Sequence, residues 1–258
     1  MTFFVVAAGV LGLIFGSFAT AVAYRLPRNE SISKGRSKCP NCGNTISAIQ
    51  NVPVFSYVVL RGRCKHCGNR ISIRYPLIEL ATGALFAGAA AKFEVSAEAL
   101  LYAGFFWALV VLTVIDLEYK LLPNRIVFPL FIAGWIGLTV AALAAGEADR
   151  LVDAAIGAAI FGGFFFLVAY VYPAGMGFGD VKLAFALGTF LGYLDGAGLT
   201  LVAMFLSFLI GGIIGVAVLA ASKGDRKTQL PFGPFLALGT VIAIFVGEKI
   251  LDAYLGTF

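Results

Sequence analysis

The chain has 258 residues, of which 60% are hydrophobic and 13% are charged, and its mean hydropathy is +0.94. Soluble globular domains carry about 25% charged residues, so this composition excludes that class and indicates a polytopic membrane protein. The net charge of +5 does not indicate nucleic-acid binding, because the basic residues cluster beside apolar segments.

Eight apolar segments approach or reach the length that crosses a bilayer as a helix. They are residues 3–24, 77–92, 98–116, 126–145, 151–172, 181–196, 199–221 and 234–255. The second and sixth segments are short and rich in Ala and Gly. The first has no basic leading region and no obvious cleavage site, so we expect a retained span rather than a signal peptide.

The distribution of Lys and Arg predicts the orientation of these spans. If residues 25–76 are cytoplasmic, alternation through eight spans places residues 117–125, 173–182 and 222–233 on the same side. These segments hold 16 of the 19 basic residues. The other three are Lys92, Arg150 and Lys249. We therefore expect both termini to lie outside.

The polar loop contains all four cysteines of the chain, in two Cys-x-x-Cys-Gly pairs: Cys39 with Cys42, and Cys64 with Cys67. Four thiolates at this spacing can enclose a tetrahedral Zn²⁺ ion, and each Gly permits a tight turn towards the sulfurs. Two disulfides or four unrelated thiols are the alternatives, and a cytoplasmic location disfavours disulfides. We expect a structural zinc site in which His66 is an exposed spacer.

These features predict an all-α membrane protein in three parts. Residues 1–24 form the first of about eight transmembrane helices. Residues 25–76 form a small cytoplasmic zinc-binding domain between helices one and two. Residues 77–258 form a seven-helix membrane domain.

Two aspartates end or begin predicted spans in apolar surroundings. Asp116 ends the third span, and Asp180 ends the sequence Gly175-Met-Gly-Phe-Gly-Asp. An ionisable group at such a depth costs free energy and usually has a function. The predicted topology puts both at the cytoplasmic boundary, where two carboxylates can share a proton and activate water. Alternatively each caps a helix or lies in solvent, since Asp is a favourable N-cap residue.

Short motifs occur in a characteristic order along almost the whole chain. They are Phe15-Gly16-Ser17-Phe18, Tyr24-Arg25-Leu26-Pro27, Asn51-Val52-Pro53, Leu60-Arg61-Gly62-Arg63-Cys64, Arg74-Tyr75-Pro76, Ile115-Asp116, Leu122-Pro123-Asn124, Gly177-Phe178-Gly179-Asp180-Val181-Lys182-Leu183 and Pro231-Phe232-Gly233-Pro234-Phe235. This order resembles that of the type IV prepilin peptidases, the bacterial leader-peptidase and N-methyltransferase group. A lone Gly-x-Gly-Asp motif is weak evidence, whereas this order together with the cysteine pairs is specific.

The resemblance implies an intramembrane-type aspartic endopeptidase, similar in its Gly-x-Gly-Asp motif to presenilin and signal peptide peptidase. Such enzymes lie in the bacterial inner membrane and remove the basic leader of type IV prepilins and pseudopilins. They cut after Gly and before an apolar helix that usually begins with Phe. The family then methylates the new amino terminus with S-adenosylmethionine. The site of that cofactor follows only from the resemblance, since no glycine-rich cofactor loop occurs.

The resemblance also implies that Asp116 and Asp180 are catalytic, one ionised and the other protonated, with individual roles that a coupled pair does not define. Gly177 and Gly179 would bring Asp180 close to Asp116 and the substrate. Lys182 would support the site, or is an interfacial lysine whose charged end reaches water.

Two further polar residues carry weaker interpretations. Asn124 stands where the family often has Asp, so we do not count it as catalytic. Glu79 could contact the loop, the cofactor or the positive charge of the leader, and a plain interfacial glutamate is the alternative.

Two other classes of protein fit parts of the pattern. A transporter would carry charged residues deep within several spans, and these spans hold almost none. A zinc-bearing assembly factor would need the loop but not the aspartates. The resemblance implies prepilins or pseudopilins as substrates, and we further expect contact with membrane lipid and none with nucleic acid.

Overall fold

The chain forms an all-helical protein in the computed structural model, which describes residues 1–32, 36–173, 176–221 and 230–256. No strand occurs among these residues, apart from two isolated bridges in the loop. The helices are α1 (Thr2–Arg25), α2 (Phe55–Val59), α3 (Arg74–Phe93), α4 (Ala97–Tyr119), α5 (Asn124–Ala145), α6 (Asp149–Val171), α7 (Phe178–Ala221) and α8 (Gly233–Leu255). Two short 3-10 helices lie at Leu26–Arg28 and Ile49–Asn51.

Seven of the described helices, all except α2, are long and apolar enough to cross a membrane. The prediction of an all-α multi-pass membrane protein is therefore confirmed. The sixth and seventh predicted spans both lie within α7, which is 44 residues long and has a break at Asp195 and Gly196, where the backbone is not helical. Gly196 has a φ of +51°, a conformation that glycine adopts without strain. Seven helices thus account for the eight predicted spans, because the break divides α7 into two.

The break divides α7 into two limbs, one before Asp195 and one after Gly196. The two limbs run in opposite directions along α6. Gly192 of the first limb faces the Asp153 carbonyl near the start of α6. Phe208 of the second limb stacks on Phe165 near the end of α6, with ring centroids 5.6 Å apart. The break therefore makes α7 a helical hairpin.

Small residues allow these helices to approach closely, as is common where membrane helices pack. Gly157 of α6 and Gly188 of α7 face each other's backbone with no room for a Cβ atom. In the same way, a Cβ atom on Gly239 of α8 would lie 2.8 Å from the Ala203 carbonyl oxygen of the second limb. The hairpin is thus held between α6 and α8.

Arg150 stabilises the break in α7. Its Nε donates a hydrogen bond of 3.1 Å to the Tyr193 carbonyl oxygen, and its guanidinium lies 3.9 Å from the centroid of the Tyr193 ring. A helix end in an apolar setting leaves carbonyl groups that need donors. Arg150 therefore satisfies one carbonyl that the break exposes.

The chain divides into two compact units, Met1–Ile115 and Asp116–Phe258. In the first unit, α1 packs closely on α3, because a Cβ atom on Gly16 would lie only 2.6 Å from the Glu79 Cα atom. The cysteine-containing loop connects these two helices. The second unit holds the end of α4 and helices α5 to α8.

Replacing Gly188 by Ala should destabilise the second unit by about 1–3 kcal/mol, because the new methyl group would overpack a backbone–backbone contact. The measurement is the thermal unfolding midpoint of the detergent-solubilised protein. Gly163→Ala in α6 is the matched control, since a Cβ atom at Gly163 meets nothing within 4 Å. Equal midpoints for the two variants would show that the close α6–α7 contact does not stabilise the fold.

Candidate active site and metal centre

The four cysteines of the loop form one cluster in the first unit. Their Sγ atoms all lie within 4.8 Å of one another, and the Cys39 and Cys67 sulfurs are 4.0 Å apart. A tetrahedral Zn²⁺ ion with Zn–S distances of about 2.3 Å places its sulfurs about 3.8 Å apart. All four side chains are free thiols rather than disulfides. The predicted ligands are thus brought together in a geometry that fits a metal ion.

The two cysteine pairs have the same backbone fold. In each pair, the amide of the first Cys donates to the carbonyl of the Asn five residues later, at 2.9 Å for Cys39 and 2.8 Å for Cys64. The Gly after each pair donates back to the carbonyl of the first Cys at 2.9 Å. Gly43 and Gly68 have φ values of +70° and +71°. Residues that carry a side chain rarely adopt this conformation. The repeated Cys-x-x-Cys-Gly-Asn sequence therefore encodes two matching turns.

Backbone amides also point towards a sulfur of the cluster. Those of Cys67 and His66 donate to the Cys64 thiol and lower its pKa to about 7. Amide donors stabilise the thiolate, which is the form that binds metal. The His66 side chain is exposed and does not belong to the cluster.

Asp116 lies near the end of α4, and its side chain is 5% exposed. Its Oδ2 atom accepts a hydrogen bond of 3.1 Å from the Gly233 amide at the start of α8. A Cβ atom on Gly233 would lie 2.6 Å from that oxygen, so a side chain at this position would force the carboxylate to shift. Sequence reasoning did not assign a role to Gly233. The available signal was the Pro-Phe-Gly-Pro motif directly before the last span.

Asp180 lies in the first turn of α7, and its amide donates to the Gly177 carbonyl at 3.0 Å. Its Oδ1 atom is buried without a hydrogen-bond partner among the described residues. The carboxylates of Asp180 and Asp116 lie close enough to interact electrostatically. The second unit therefore brings together the two aspartates, which are 64 positions apart in the chain.

Leu122 joins the segments that carry the two aspartates. Its buried side chain lies 3.1 Å from the position of a Cβ atom on Gly179 and 3.3 Å from one on Gly233. The segment after α4, the start of α7 and the start of α8 therefore meet at this residue. Gly179 makes room for Leu122.

A Cβ atom on Gly177 would lie 3.1 Å from Asp180 Oδ2, so the first glycine of the motif faces the carboxylate. Gly175 lies outside the described residues.

Lys182 contacts Asn124 rather than either aspartate. Its Nζ donates a hydrogen bond of 3.0 Å to Asn124 Oδ1 at the start of α5. The same ammonium lies 5.2 Å and 5.1 Å from the ring centroids of Phe128 and Phe178, within range of cation–π attraction. The contact links the beginnings of α5 and α7.

Glu79 contacts the loop in the first unit, which is one of the three roles considered for it. Its side chain is 8% exposed, and Oε2 accepts a hydrogen bond of 2.7 Å from the Val54 amide. Ser17 of α1 also bonds to this carboxylate. Val54 has a φ of +60°, which is strained for a β-branched residue. Glu79 therefore holds a strained turn of the loop against α1 and α3.

Comparison with known proteins matches the chain to two family models. The Bacterial Peptidase A24 N-terminal domain matches residues 10–93, and the Type IV leader peptidase family matches residues 103–216. The chain is 34% identical to a prepilin leader peptidase/N-methyltransferase of Stutzerimonas stutzeri, over 98% of this chain and 94% of that protein. It is 35% identical to a protein of the same name from Bacillus subtilis (strain 168), over 95% and 96% of the two chains. No solved structure gives a significant match.

Replacing Cys39 by Ser should lower the metal content and the yield of folded protein, because three remaining thiolates bind a tetrahedral ion more weakly. The measurements are the number of zinc atoms per purified chain and the thermal unfolding midpoint. His66→Ala is the control, since this side chain lies in the second turn but outside the cluster. A normal zinc content in Cys39→Ser would contradict the assignment.

Proposed function

Because the chain belongs to the type IV leader peptidase family, we propose that it is an inner-membrane aspartic endopeptidase that cleaves type IV prepilins or pseudopilins. The bond cut would follow a Gly at the end of the basic leader and precede the apolar helix. The observation that carries this proposal is the packing of Leu122 both on Gly179, which precedes Asp180, and on Gly233, whose amide bonds to Asp116.

The proposed mechanism uses the two carboxylates as a pair that shares one proton. The ionised aspartate accepts a proton from water as the water oxygen attacks the carbonyl carbon of the scissile peptide. The protonated aspartate donates a hydrogen bond to the carbonyl oxygen. The tetrahedral intermediate then breaks its C–N bond as the leaving amine takes up the proton that the first aspartate accepted from water, which restores that aspartate to its ionised form. The pair reacts as a unit, so neither role belongs to one residue.

The surroundings of the pair support this mechanism. The Gly233 amide engages Oδ2 of Asp116, which fixes the orientation of that carboxylate. The buried Oδ1 of Asp180 has no protein partner among the described residues, so it is free to bind water or the substrate carbonyl. Backbone amides thus orient Asp116 and also reach the Asp180 carboxylate, whose Oδ1 is the oxygen left without a protein partner among the described residues.

We assign Gly177, Gly179 and Lys182 supporting roles. The two glycines let the start of α7 approach Leu122 and leave the Asp180 carboxylate uncrowded. Lys182 ties this turn to Asn124. These contacts would position Asp180 rather than take part in bond cleavage.

The orientation and the loop domain complete the proposal. The Lys and Arg distribution supports a cytoplasmic location for residues 25–76 and for both aspartates, with both termini outside. The four-cysteine geometry supports structural Zn²⁺ bound by Cys39, Cys42, Cys64 and Cys67. Such a closed site stabilises the fold of the loop when the ion is bound. Membrane lipid surrounds the apolar helices.

We also propose N-methylation of the new amino terminus with S-adenosylmethionine as the methyl donor. This part rests on the name of the relatives, prepilin leader peptidase/N-methyltransferase. The contacts among the described residues define no site for that cofactor, so we derive no step of the methyl transfer.

Replacing either Asp116 or Asp180 by Asn should lower the rate of prepilin cleavage by about 10²–10⁴-fold, because each variant lacks one partner of the acid–base pair. The assay uses the full-length protein in detergent with a model prepilin. Asp252→Asn near the end of α8 is the matched control, because this residue is exposed. Wild-type cleavage by either active-site variant would exclude the dyad.

Replacing Gly233 by Ala should reduce cleavage at least about tenfold, because the new methyl group would displace the Asp116 carboxylate and a small misplacement is costly in catalysis. Gly212→Ala is the control, since a Cβ atom there meets nothing within 4 Å. Zinc content and thermal midpoint verify the fold of both variants. If Gly233→Ala cleaves normally, the amide contact does not position Asp116.

A further inference from the structure

The short helix α2 in the cysteine-containing loop exposes an apolar face. Its members are Val52, Phe55, Val58 and Val59, whose spacing puts them on one side of the helical turn. Phe55 is 62% exposed and Val58 is 66% exposed. Ser56 is buried instead, and its hydroxyl donates to the Val52 carbonyl oxygen. This α2 face reverses the arrangement expected in water, and contiguous exposed apolar surface marks an interaction site or a membrane contact.

The contacts of Glu79 place the start of α2 at membrane depth. The Val54 amide directly before α2 donates to Glu79 Oε2, and Ser17 of α1 bonds to the same carboxylate. Ser17 lies eight residues before the end of α1 at Arg25, which is about 12 Å along a helix. Both α1 and α3 are long and apolar enough to span the membrane. The α2 face therefore lies beside membrane-spanning helices, at a depth comparable with the 5–10 Å by which interfacial helices enter the bilayer.

The segment that follows α2 carries arginines at the edge of the α2 face. Arg61 and Arg63 are both exposed. The Gly62 amide between them donates to the Tyr57 carbonyl oxygen of α2 at 2.8 Å, which holds this segment against the helix. Arg70 forms an antiparallel bridge with Arg63. Side chains of directly opposite residues are neighbours, and like charges in such a pair are unfavourable.

The fold of the turn does not require this arginine pair. The first cysteine turn has the same backbone hydrogen bonds, and it pairs Lys38 with Thr45 where the second turn pairs Arg63 with Arg70. One cation opposite a hydroxyl is therefore compatible with the turn. Residues 31–78 contain no Asp or Glu, so an anion that stabilises the arginine pair comes from outside this segment.

We propose that the α2 face docks on the membrane surface, with Arg61, Arg63 and Arg70 binding the phosphate groups of anionic lipid at its edge. An apolar face with a basic border is complementary to such a surface, because the apolar side chains enter the acyl region while the cations meet the headgroups. The basic leader of the proposed substrate fits this border poorly, since the charges are alike. The docking holds the cysteine-containing loop on the membrane, and it does not depend on the peptidase activity.

The test places the photo-reactive residue benzoylphenylalanine at position 58 of the full-length protein, in vesicles of equal parts phosphatidylcholine and phosphatidylglycerol. Mass spectrometry measures the amount of adduct with each lipid. We expect lipid adducts to be several-fold more abundant with the probe at position 58 than with the probe at position 41. Asn41 is the control site because it is exposed in the first cysteine turn and outside the α2 face. A probe at position 55 repeats the measurement if the first one impairs folding.

Arg70→Thr tests the charged border, because it gives the second turn the pairing of a cation with Thr that the first turn has. It should lower the ratio of phosphatidylglycerol to phosphatidylcholine adducts about fivefold, since each Lys or Arg at an anionic surface contributes about that factor to binding. Lys249→Gln is the matched control, because it also removes one exposed positive charge, near the end of α8. It should keep the wild-type ratio. Zinc content and thermal midpoint verify the fold of both variants.

Three results would overturn the docking. Lipid adducts at position 58 could be no more abundant than at position 41, or the lipid ratio could be unchanged in Arg70→Thr. A model prepilin added to the vesicles could also take the adducts in place of lipid, which would make the α2 face a substrate surface. None of these measurements uses cleavage, so a failure of the docking is distinguished from a failure of the proposed function.

Discussion

The hydrogen bond from the Gly233 amide to Asp116 Oδ2 joins two helix ends that are 117 positions apart in the chain. A carboxylate at membrane depth is costly unless polar groups compensate for lost water, and here a backbone amide does so. A side chain at the start of α8 would displace the Asp116 carboxylate from this contact. Leu122 then packs between this point and the start of α7, which carries Asp180. The positions of the two aspartates and of Gly179 depend on that junction.

The cysteine-containing loop in the first unit is held together by other interactions than those of the membrane helices. Few of its apolar side chains are buried, and local turns and the convergence of its four cysteines define its fold. The left-handed Gly43 and Gly68 close two matching turns and aim four thiols at one point. The buried carboxylate of Glu79 holds the strained Val54 turn against α1 and α3. The two turns and the four converging thiols thus order the loop, whereas hydrophobic packing orders the membrane helices.

The sequence predicts features that depend on local composition and spacing. Apolar length marks the spans, and the Cys-x-x-Cys-Gly repeat marks the metal cluster. The Gly-x-Gly-Asp motif marks Asp180. The contacts of Gly233 and Glu79 could not be read in this way, because each joins residues far apart in the chain and periodicity does not identify the partner. Hydropathy also separates the sixth and seventh spans beside the break at Gly196, although it does not show that the two spans join without an intervening loop.

The central claim is that Asp116 and Asp180 act as one unit on the scissile carbonyl. The most direct test is the affinity for a prepilin peptide in which a hydroxymethylene group replaces that carbonyl, since analogues of the transition state bind far more tightly than substrates. We expect tight binding by the wild type and at least about tenfold weaker binding by Asp116→Asn and by Asp180→Asn. The double variant should be little weaker than either single variant, as residues that act together are not additive. Unchanged affinity in either single variant would contradict the dyad.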